Sequence, residues 1–328
     1  MKVVVLGSGA WGTALAMVLC ENGHDVTLWS HRAGKAAELA QSRQNPQLKG
    51  VTLPASMSFS GDIACVQGAD MVVCATASYA VRDTAKAMAP YVTAETVVVS
   101  VTKGIERGSH LRMTQVIASE TAATACQVVA LSGPSHAEEV SRKLPTGCVS
   151  ASDNAKAAEL VQDAFMNSYF RIYTSDDPVG VELGGAIKNV MALSCGVCDG
   201  MGFGDNTKAL LMTRAITEIS RLVLAMGGQE ATLAGLAGVG DLIVTCTSGH
   251  SRNRQAGILI GQGKSTQEAM DAVGAVVEGY YAAQSVMELA EEFGVEMPIS
   301  QCAYQVLCHG RDVHDVIDEL MTRSKKGE

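Results

Sequence analysis

The chain has 328 residues, of which 47% are hydrophobic and 18% are charged, and its formal net charge is -9. This length and composition predict a globular protein with room for two domains, and they exclude a disordered or fibrous chain. The acidic balance argues against nucleic acid or an anionic membrane surface as a partner. Any phosphate that the protein binds must therefore be held in a local pocket.

The apolar N-terminal run up to Cys20 has the composition of a secretion or lipoprotein signal. We reject that interpretation because three glycines interrupt the run, and because its removal would delete a strand and a turn that the following residues need. No other segment has the roughly 18 uninterrupted apolar residues of a membrane span. Ten scattered cysteines in apolar surroundings favour reduced thiols, and we expect a cytoplasmic location.

No metal site is expected from the cysteines and histidines. Cys195 and Cys198 form one CxxC with no second pair, so packing is favoured over a zinc or redox role. His309 and His314 are five positions apart and would point to different faces of a helix.

Short β-branched runs alternate with helical patterns through the first half of the chain, which is typical of a parallel sheet with helical crossovers. They predict strands at residues 3–6, 25–29, 71–75, 96–101 and 127–131. After about residue 175 helical periodicity continues to the end. Asp177 followed by Pro178 is a typical helix start, with the carboxylate as N-cap and proline at the first helical position.

The sequence GlySerGlyAlaTrpGly at residues 7–12 fits GxGxxG between the first predicted strand and a helix. Gly7 permits the tight turn, Gly9 lets the backbone approach a pyrophosphate, and Gly12 allows close helix packing. The helix beginning near Trp11 offers free amides at its N-terminus. We therefore predict an α/β fold: a Rossmann-type, doubly wound, mostly parallel sheet in residues 1–176 that binds a dinucleotide, followed by an all-α domain in residues 177–328.

The second predicted strand ends in Ser30, His31 and Arg32, where an NAD-specific site would place Asp or Glu. No carboxylate repels a 2'-phosphate there, and Arg32 can pair with one. The cofactor is accordingly predicted to be NADP or NAD, with NADPH favoured. The alternative is a solvated Arg32 in a protein that accepts both.

Lys188 stands in the apolar stretch at residues 181–193, which predicts a buried helix. Gly184 and Gly185 lie four and three positions before it, and we expect these small residues to leave room for a ligand beside the amine. A lysine in such a place can act as a general acid. The alternative is a lysine whose stem reaches solvent.

Residues 235–254 predict a glycine-rich loop that ends in polar residues before a helix. Arg252 can bind phosphate oxygens in a bidentate way, while Ser251, Asn253 and the helix amides add neutral donors. Asp241 in this apolar segment needs a partner, and the Lys188 amine would satisfy it. SerArgAsn is otherwise an ordinary polar helix start.

The whole sequence resembles the soluble, bacterial-type NAD(P)-dependent glycerol-3-phosphate dehydrogenase family. The resemblance rests on several long motifs in chain order, at residues 7–16, 100–106, 131–140, 180–190, 204–214, 235–254 and 276–280. It implies reversible reduction of dihydroxyacetone phosphate to sn-glycerol 3-phosphate by NAD(P)H, which supplies the glycerophospholipid backbone. It also implies a homodimer, with a phosphorylated small molecule as substrate. It further implies that residues 1–176 bind NAD(P) and that residues 177–328 form the substrate-binding and catalytic domain.

The resemblance implies that Lys188 carries the proton in catalysis, and Asp241 is expected to orient its amine. The predicted substrate residues are Lys103, Gly133, Ser135, Lys188, Asn189, Asp241, Ser251, Arg252 and Asn253. The predicted cofactor residues are Gly7, Gly9, Ala10, Trp11, Gly12, His31, Arg32, Lys103, Ala137, Arg252, Val276 and Glu278.

Two other classes of protein stay open at this stage. A hydroxyacid or sugar-acid dehydrogenase would also place a lysine in a long interdomain helix, but it explains SerArgAsn less well. A non-catalytic NAD(P) sensor would keep the glycine loop without needing Lys188, Asp241 and Arg252 together. Residues 75–82 also lack the proline expected of the family after this strand.

Overall fold

The computed structural model describes residues 1–325 and Gly327, which form two compact units. The first unit contains Met1–Glu106 and Leu111–Glu182, and the second contains Arg107–His110 and the chain from Leu183 onward. The chain therefore passes between the units at three points. The predicted division between residues 176 and 177 stays a prediction.

The first unit is built on an eight-stranded sheet with the order β3-β2-β1-β4-β5-β6-β7-β8. All neighbouring strands are parallel except β6 and β7, which confirms the predicted mostly parallel sheet. The strands are β1 Lys2–Leu6, β2 Asp25–Trp29, β3 Ser58–Ser60, β4 Met71–Cys74, β5 Val97–Ser100, β6 Gln127–Ser132, β7 Thr146–Ala151 and β8 Phe170–Ser175. The five strands predicted from sequence are all present, whereas β3, β7 and β8 were not predicted.

Helices cover both faces of this sheet. They are α1 Ala10–Glu21, α2 Ala33–Ser42, α3 Val81–Met88, α4 Met113–Glu120, α5 Ala137–Val140 and α6 Ala155–Phe165. Along β1, Val3 and Val5 pack into one hydrophobic cluster, whereas Val4 and Leu6 pack into another. Alternate residues of a strand point to opposite faces, so the sheet is buried on both sides, as the Rossmann-type prediction requires.

Every regular element in the described part of the second unit is a helix. Its helices are α7 Pro178–Gly200, which begins in the first unit, α8 Asp205–Ala225, α9 Glu230–Leu233, a π-helical turn Leu236–Gly240, α10 Asp241–Thr247, α11 Arg252–Gly261, α12 Thr266–Val273, α13 Glu278–Glu292, α14 Pro298–His309 and α15 Val313–Met321. The start of α7 is as predicted, because the Asp177 carboxylate accepts a hydrogen bond of 2.8 Å from Gly180 N.

Helix α7 is apolar and long enough to cross a membrane, but 94% of its most apolar window is buried inside the protein. Its packing explains the composition. A Cβ added at Gly196 would collide with the Arg254 carbonyl, and one at Gly257 would collide with the Leu193 carbonyl. Helices α7 and α11 therefore pack backbone against backbone, and this fixes Lys188 relative to the residues at the start of α11.

The segment Arg107–His110 follows β5 and packs with α13 in the second unit. The His110 ring lies 2.8 Å from Glu288 and 3.2 Å from Glu292, and the Arg107 guanidinium lies 5.1 Å from the centre of the Tyr281 ring. Hydrogen bonding to Glu288 raises the pKa of His110 above its usual value. Charge and cation–π contacts thus hold this short segment.

Candidate active site

Lys188 forms a buried cluster with two residues of α10. Its Nζ donates hydrogen bonds of 2.6 Å to Asp241 Oδ1 and of 2.6 Å to Thr245 Oγ1. The side chains of Lys188 and Asp241 are only 6% and 1% exposed. The sequence prediction that Asp241 partners Lys188 therefore matches the geometry, and the alternative of a lysine reaching solvent does not.

Thr245 was missed by sequence reasoning. Its hydroxyl donates to the Asp241 carbonyl at 2.6 Å and accepts from Lys188, so it completes the cluster. The available signal was its spacing, because it follows Asp241 by four positions and residues four apart share one face of a helix. The side chains of Asp241 and Thr245 together hold the lysine amine in one orientation.

The segment that carries Asp241 is helical, which corrects the predicted loop at residues 235–254. Residues 236–240 form a π-helical turn that continues directly into α10, and only Gly235 and the stretch between Thr247 and Arg252 lie outside helices in this segment. The glycines mislead the prediction because Gly238 is there for packing: a Cβ on it would collide with the Leu233 backbone.

The prediction that Gly184 leaves room for a ligand beside Lys188 is also wrong. A Cβ at Gly184 would lie 2.6 Å from the Ala237 carbonyl oxygen, so the π-helical turn fills that space. The glycine permits the close approach of the segment that leads into Asp241. Spacing along one helix could not identify which neighbour covers its face.

The start of α11 brings together three of the predicted substrate residues and their neighbours. Asn253 donates to Asn189 Oδ1 at 3.0 Å and accepts from Gly279 N at 2.8 Å. Ser251 is buried and accepts from Arg254 N at 3.2 Å as the N-cap of α11. The Arg252 side chain is exposed, and the described residues provide it with no hydrogen bond. Arg252 is thus available to an anion, whereas Asn253 and Asn189 are engaged in fixing the starts of α11 and α13.

Lys103, Gly133 and Ser135 meet at the carboxyl end of the sheet in the first unit. Lys103 Nζ donates to the Gly133 carbonyl at 2.9 Å, and Ser135 Oγ donates to the same oxygen at 2.8 Å. Gly133 has a φ of +151°, and a Cβ there would lie 2.9 Å from Gly147 O. Glycine is therefore required at the centre of this group.

The glycine loop has the geometry of a dinucleotide site. Gly7 has a φ of +124°, and a Cβ on it would lie 2.6 Å from the Ala75 carbonyl oxygen. A Cβ on Gly12 would collide with the Gly7 carbonyl, whereas one on Gly9 would meet only the end of Gln47 at 3.9 Å. Gly9 caps α1 without a side-chain hydrogen bond. The first turn of α1, with Ala10 and Trp11, therefore has open amides that fit a pyrophosphate.

Buried hydroxyls line up along the same edge of the sheet. Ser30, Thr76, Ser100 and Ser132 follow or end four of its strands, and their oxygens find no hydrogen-bond partner within the described residues. Buried polar groups are normally paired, so their position fits a polar ligand at this edge. Ala137 is buried at the start of α5, and His31 and Arg32 are exposed beyond β2.

The two remaining cofactor predictions fall in the second unit, where Val276 and Glu278 are half-buried at the start of α13.

The CxxC is not a site by itself. The thiol of Cys195 hydrogen-bonds with that of Cys246, and this contact and burial raise its pKa well above the usual range. No group of three metal-binding side chains occurs among the described residues.

Two protein-family models match the chain. Residues 2–158 match the N-terminus of NAD-dependent glycerol-3-phosphate dehydrogenase, and residues 177–318 match its C-terminus. The chain belongs to the NAD-dependent glycerol-3-phosphate dehydrogenase family. The family resemblance seen in the sequence is thereby confirmed.

Relatives named glycerol-3-phosphate dehydrogenase [NAD(P)+] align over the full length of this member of the family. The protein from Desulfitobacterium hafniense is 49% identical and is covered to 93%, and that from Geobacillus thermodenitrificans is 48% identical and is covered to 96%. The solved glycerol-3-phosphate dehydrogenase of Coxiella burnetii is 36% identical with a TM-score of 0.94, and the match covers 98% of this chain and 99% of that one. This glycerol-3-phosphate dehydrogenase family member is an NAD(P)-dependent oxidoreductase.

Proposed function

We propose that this enzyme reduces dihydroxyacetone phosphate to sn-glycerol 3-phosphate with NAD(P)H, with Lys188 as the proton donor. The observation that carries the proposal is the buried Lys188–Asp241–Thr245 cluster, with both hydrogen bonds from the amine at 2.6 Å. An ammonium held in a fixed position stabilises negative charge that develops on an oxygen and then delivers its proton. The product feeds glycerophospholipid synthesis.

The glycine loop and the open hydroxyls at the sheet edge fit a nicotinamide dinucleotide, which supplies the hydride when bound. Gly7, Gly9, Ala10, Trp11 and Gly12 would hold its pyrophosphate. We assign His31, Arg32, Lys103, Ala137, Arg252, Val276 and Glu278 to the same cofactor. NADPH is the preferred form, because no carboxylate stands at residues 30–32 to exclude a 2'-phosphate.

The residues of the chain account for the proton and for substrate orientation. Lys188 protonates the oxygen of the ketone that becomes the alcohol, and Asp241 with Thr245 keeps the amine aimed. Arg252 binds the phosphate through its exposed guanidinium. Lys103, Gly133, Ser135, Asn189, Ser251 and Asn253 complete the proposed substrate set. Fixing the phosphate places the carbonyl for reaction, which is the positioning share of catalysis.

The test is the fall in reduced-nicotinamide absorbance when the purified protein meets dihydroxyacetone phosphate, measured in parallel with NADPH and NADH. We expect rapid oxidation with a larger kcat/KM for NADPH. Ketopantoate and a sugar acid in its oxidised form serve as control substrates, because a hydroxyacid or sugar-acid dehydrogenase would reduce those instead. Tight cofactor binding without oxidation of any of these compounds would support the sensor alternative.

We also propose the division of labour that the sequence predicts, with nucleotide binding in residues 1–176 and catalysis in residues 177–328. A cytoplasmic location is supported by the ten cysteines, all of which are free thiols. A homodimer is supported by exposed apolar side chains of the second unit, including Leu210, Leu224 and Ile243. Light scattering coupled to size exclusion tests the dimer, and a mass of one chain would contradict it.

A further inference from the structure

Lys35 reaches from the first turn of α2 to the glycine loop. Its Nζ donates to the Ser8 carbonyl at 2.8 Å and to Gln47 Oε1 at 3.2 Å. Both acceptors are neutral. The Ser8 carbonyl also accepts from Asn45 Nδ2 at 3.1 Å, so it keeps a donor when the lysine leaves. The amine is therefore not needed to satisfy this part of the loop.

Lys35 shares the start of α2 with a second cation. Arg32 is the N-cap residue of the helix, three positions before Lys35, and its side chain is exposed. Burial lowers the pKa of Lys35, and the Arg32 charge lowers it further, against an opposing effect of Glu38. Within the described residues no carboxylate forms an ion pair with either cation. Two neighbouring positive charges that have no ion-paired carboxylate in the described structure favour an anion between them.

A buried hydroxyl lies next to this pair in the chain. Ser30 directly follows β2, is 2% exposed, and its Oγ finds no hydrogen-bond partner within the described residues. The N-terminus of α2 also carries no side-chain cap, and although the Lys35 amide donates to the Arg32 carbonyl at 3.0 Å, the Gly34 amide before it can donate to an anion. Two cations, a hydroxyl and a helix amide are donors of the kind that bind a phosphate dianion.

We propose that Lys35, which no part of the family resemblance assigned, determines NADPH specificity by binding the 2'-phosphate together with Arg32 and Ser30. The proposal rests on the proposed function, in that it takes NAD(P)H as the cofactor. The lysine leaves Ser8 and turns to the phosphate, which neutralises the repulsion between Lys35 and Arg32. Its position beyond the end of β2 favours the 2'-phosphate, because that is where Rossmann folds recognise the adenosine ribose.

The experiment compares Lys35→Gln with the unchanged enzyme in two independent measurements. Calorimetric titration with adenosine 2',5'-bisphosphate and with adenosine 5'-monophosphate measures binding without turnover. We expect Lys35→Gln to weaken binding of the bisphosphate about tenfold, because one charge-assisted hydrogen bond is lost, and to leave binding of the monophosphate unchanged. With dihydroxyacetone phosphate as substrate, KM for NADPH rises by the same factor, while KM for NADH and both kcat values stay constant.

Two further variants separate specificity from structure. Lys35→Arg keeps the charge and should retain most of the bisphosphate affinity. Lys86→Gln removes an exposed lysine of α3 in the same unit and should change nothing. Equally weakened binding of both nucleotides would overturn the proposal and would place Lys35 at the pyrophosphate or in support of the loop. Unchanged binding of both nucleotides would also overturn it. Absence of turnover would contradict the proposed function alone, because the titrations still decide the role of Lys35.

Discussion

The carboxyl edge of the sheet and the Lys188 cluster differ in whether their buried polar groups are paired with other groups of the protein. At the carboxyl ends of the strands, the buried hydroxyls of Ser30, Ser100 and Ser132 find no partner within the described residues. In the second unit, the Lys188 amine is bound by Asp241 and by Thr245, which itself donates to the backbone. The first region is complementary to a ligand that brings its own polar atoms. The second is preorganised by the protein, as electrostatic catalysis requires.

The largest expected effect tests the preorganised region. Lys188→Ala should lower kcat about 1000-fold, because a positioned proton donor is lost. The affinity for NADPH should stay within about twofold of that of the unchanged enzyme. Stopped-flow or steady-state absorbance gives kcat, and fluorescence titration gives cofactor affinity. Near-normal turnover would end the assignment of Lys188.

The matched control for this change is Lys208→Ala. Lys208 lies in the same unit and pairs with Asp199 at 2.7 Å, and Arg254 also binds that carboxylate, so it keeps a cation when Lys208 is removed. Its activity should match that of the unchanged enzyme. A similar loss in both variants would show that any missing ion pair in this unit reduces turnover.

Glu218 is a buried carboxylate of α8 that binds backbone amides at the start of α14 rather than a lysine. It accepts from Ile299 N at 2.7 Å and from Ser300 N at 3.2 Å. Burial raises its pKa from 4.5 to about 7 despite these hydrogen bonds. Because the pKa of Glu218 is higher in the folded protein than in the unfolded chain, protonation of this carboxylate stabilises the fold. That contribution is fully present below pH 4.5 and is lost as the pH rises through about 7.

Glu218→Gln should remove that pH dependence. Relative to the variant, the unchanged protein should lose up to about 3 kcal/mol in its free energy of unfolding between pH 4.5 and pH 8. Urea unfolding at several pH values for both proteins measures the difference, since all other titrating groups cancel. Parallel curves for the two proteins would contradict the raised pKa.

A smaller effect tests the part of the cluster that sequence reasoning missed. Thr245→Val removes the hydroxyl that holds the Lys188 amine, and we expect kcat to fall about tenfold, since one hydrogen bond to a charged group is lost. KM for dihydroxyacetone phosphate should change little, because Thr245 orients the amine and does not bind the phosphate. Steady-state kinetics at saturating NADPH separates the two constants.

Thr247→Val is the control on the same helix. Thr247 is exposed, and its hydroxyl bonds only the Ile243 carbonyl at 2.8 Å in the described structure. Its kinetics should be unchanged. If Thr245→Val behaves in the same way, the hydroxyl is not part of the catalytic arrangement.

The smallest expected effect tests the open region. Arg32→Ala should raise KM for NADPH about fivefold and leave KM for NADH unchanged, because an exposed cation contributes modestly to binding. Arg142→Ala, another exposed arginine of the first unit, serves as control. If Arg32→Ala leaves the affinities for both cofactors unchanged, Arg32 has no part in cofactor preference.

Much of the first unit was predictable because its central strands are continuous β-branched runs buried on both faces. Strands β4 and β5 are of this kind, and both were predicted to within about a residue. Strand β3 has three residues, β7 is rich in small residues, and β8 alternates buried with exposed positions. Such strands are stabilised by their neighbours, and a local pattern does not contain that information.

In the site, the pairing of Lys188 with Asp241 was predictable because a buried charge needs a partner. The shape around it was not. Glycines permit both open loops and tight packing, and only the positions of Leu233 and Ala237 show that Gly238 and Gly184 serve packing. Local sequence identified which groups must meet, and tertiary contacts decided how.

The three passages of the chain between the units have a consequence for dissecting the protein. A fragment ending at residue 176 would retain every strand of the sheet. It would also retain Arg107 and His110 while losing Tyr281, Glu288 and Glu292, the side chains that hold them. That segment begins four residues after Lys103, so the fragment would carry a loosened connection after β5. The half of the chain that carries the sheet is thus not an interchangeable module: any fusion or domain exchange that separates it must supply a new anchor for residues 107–110.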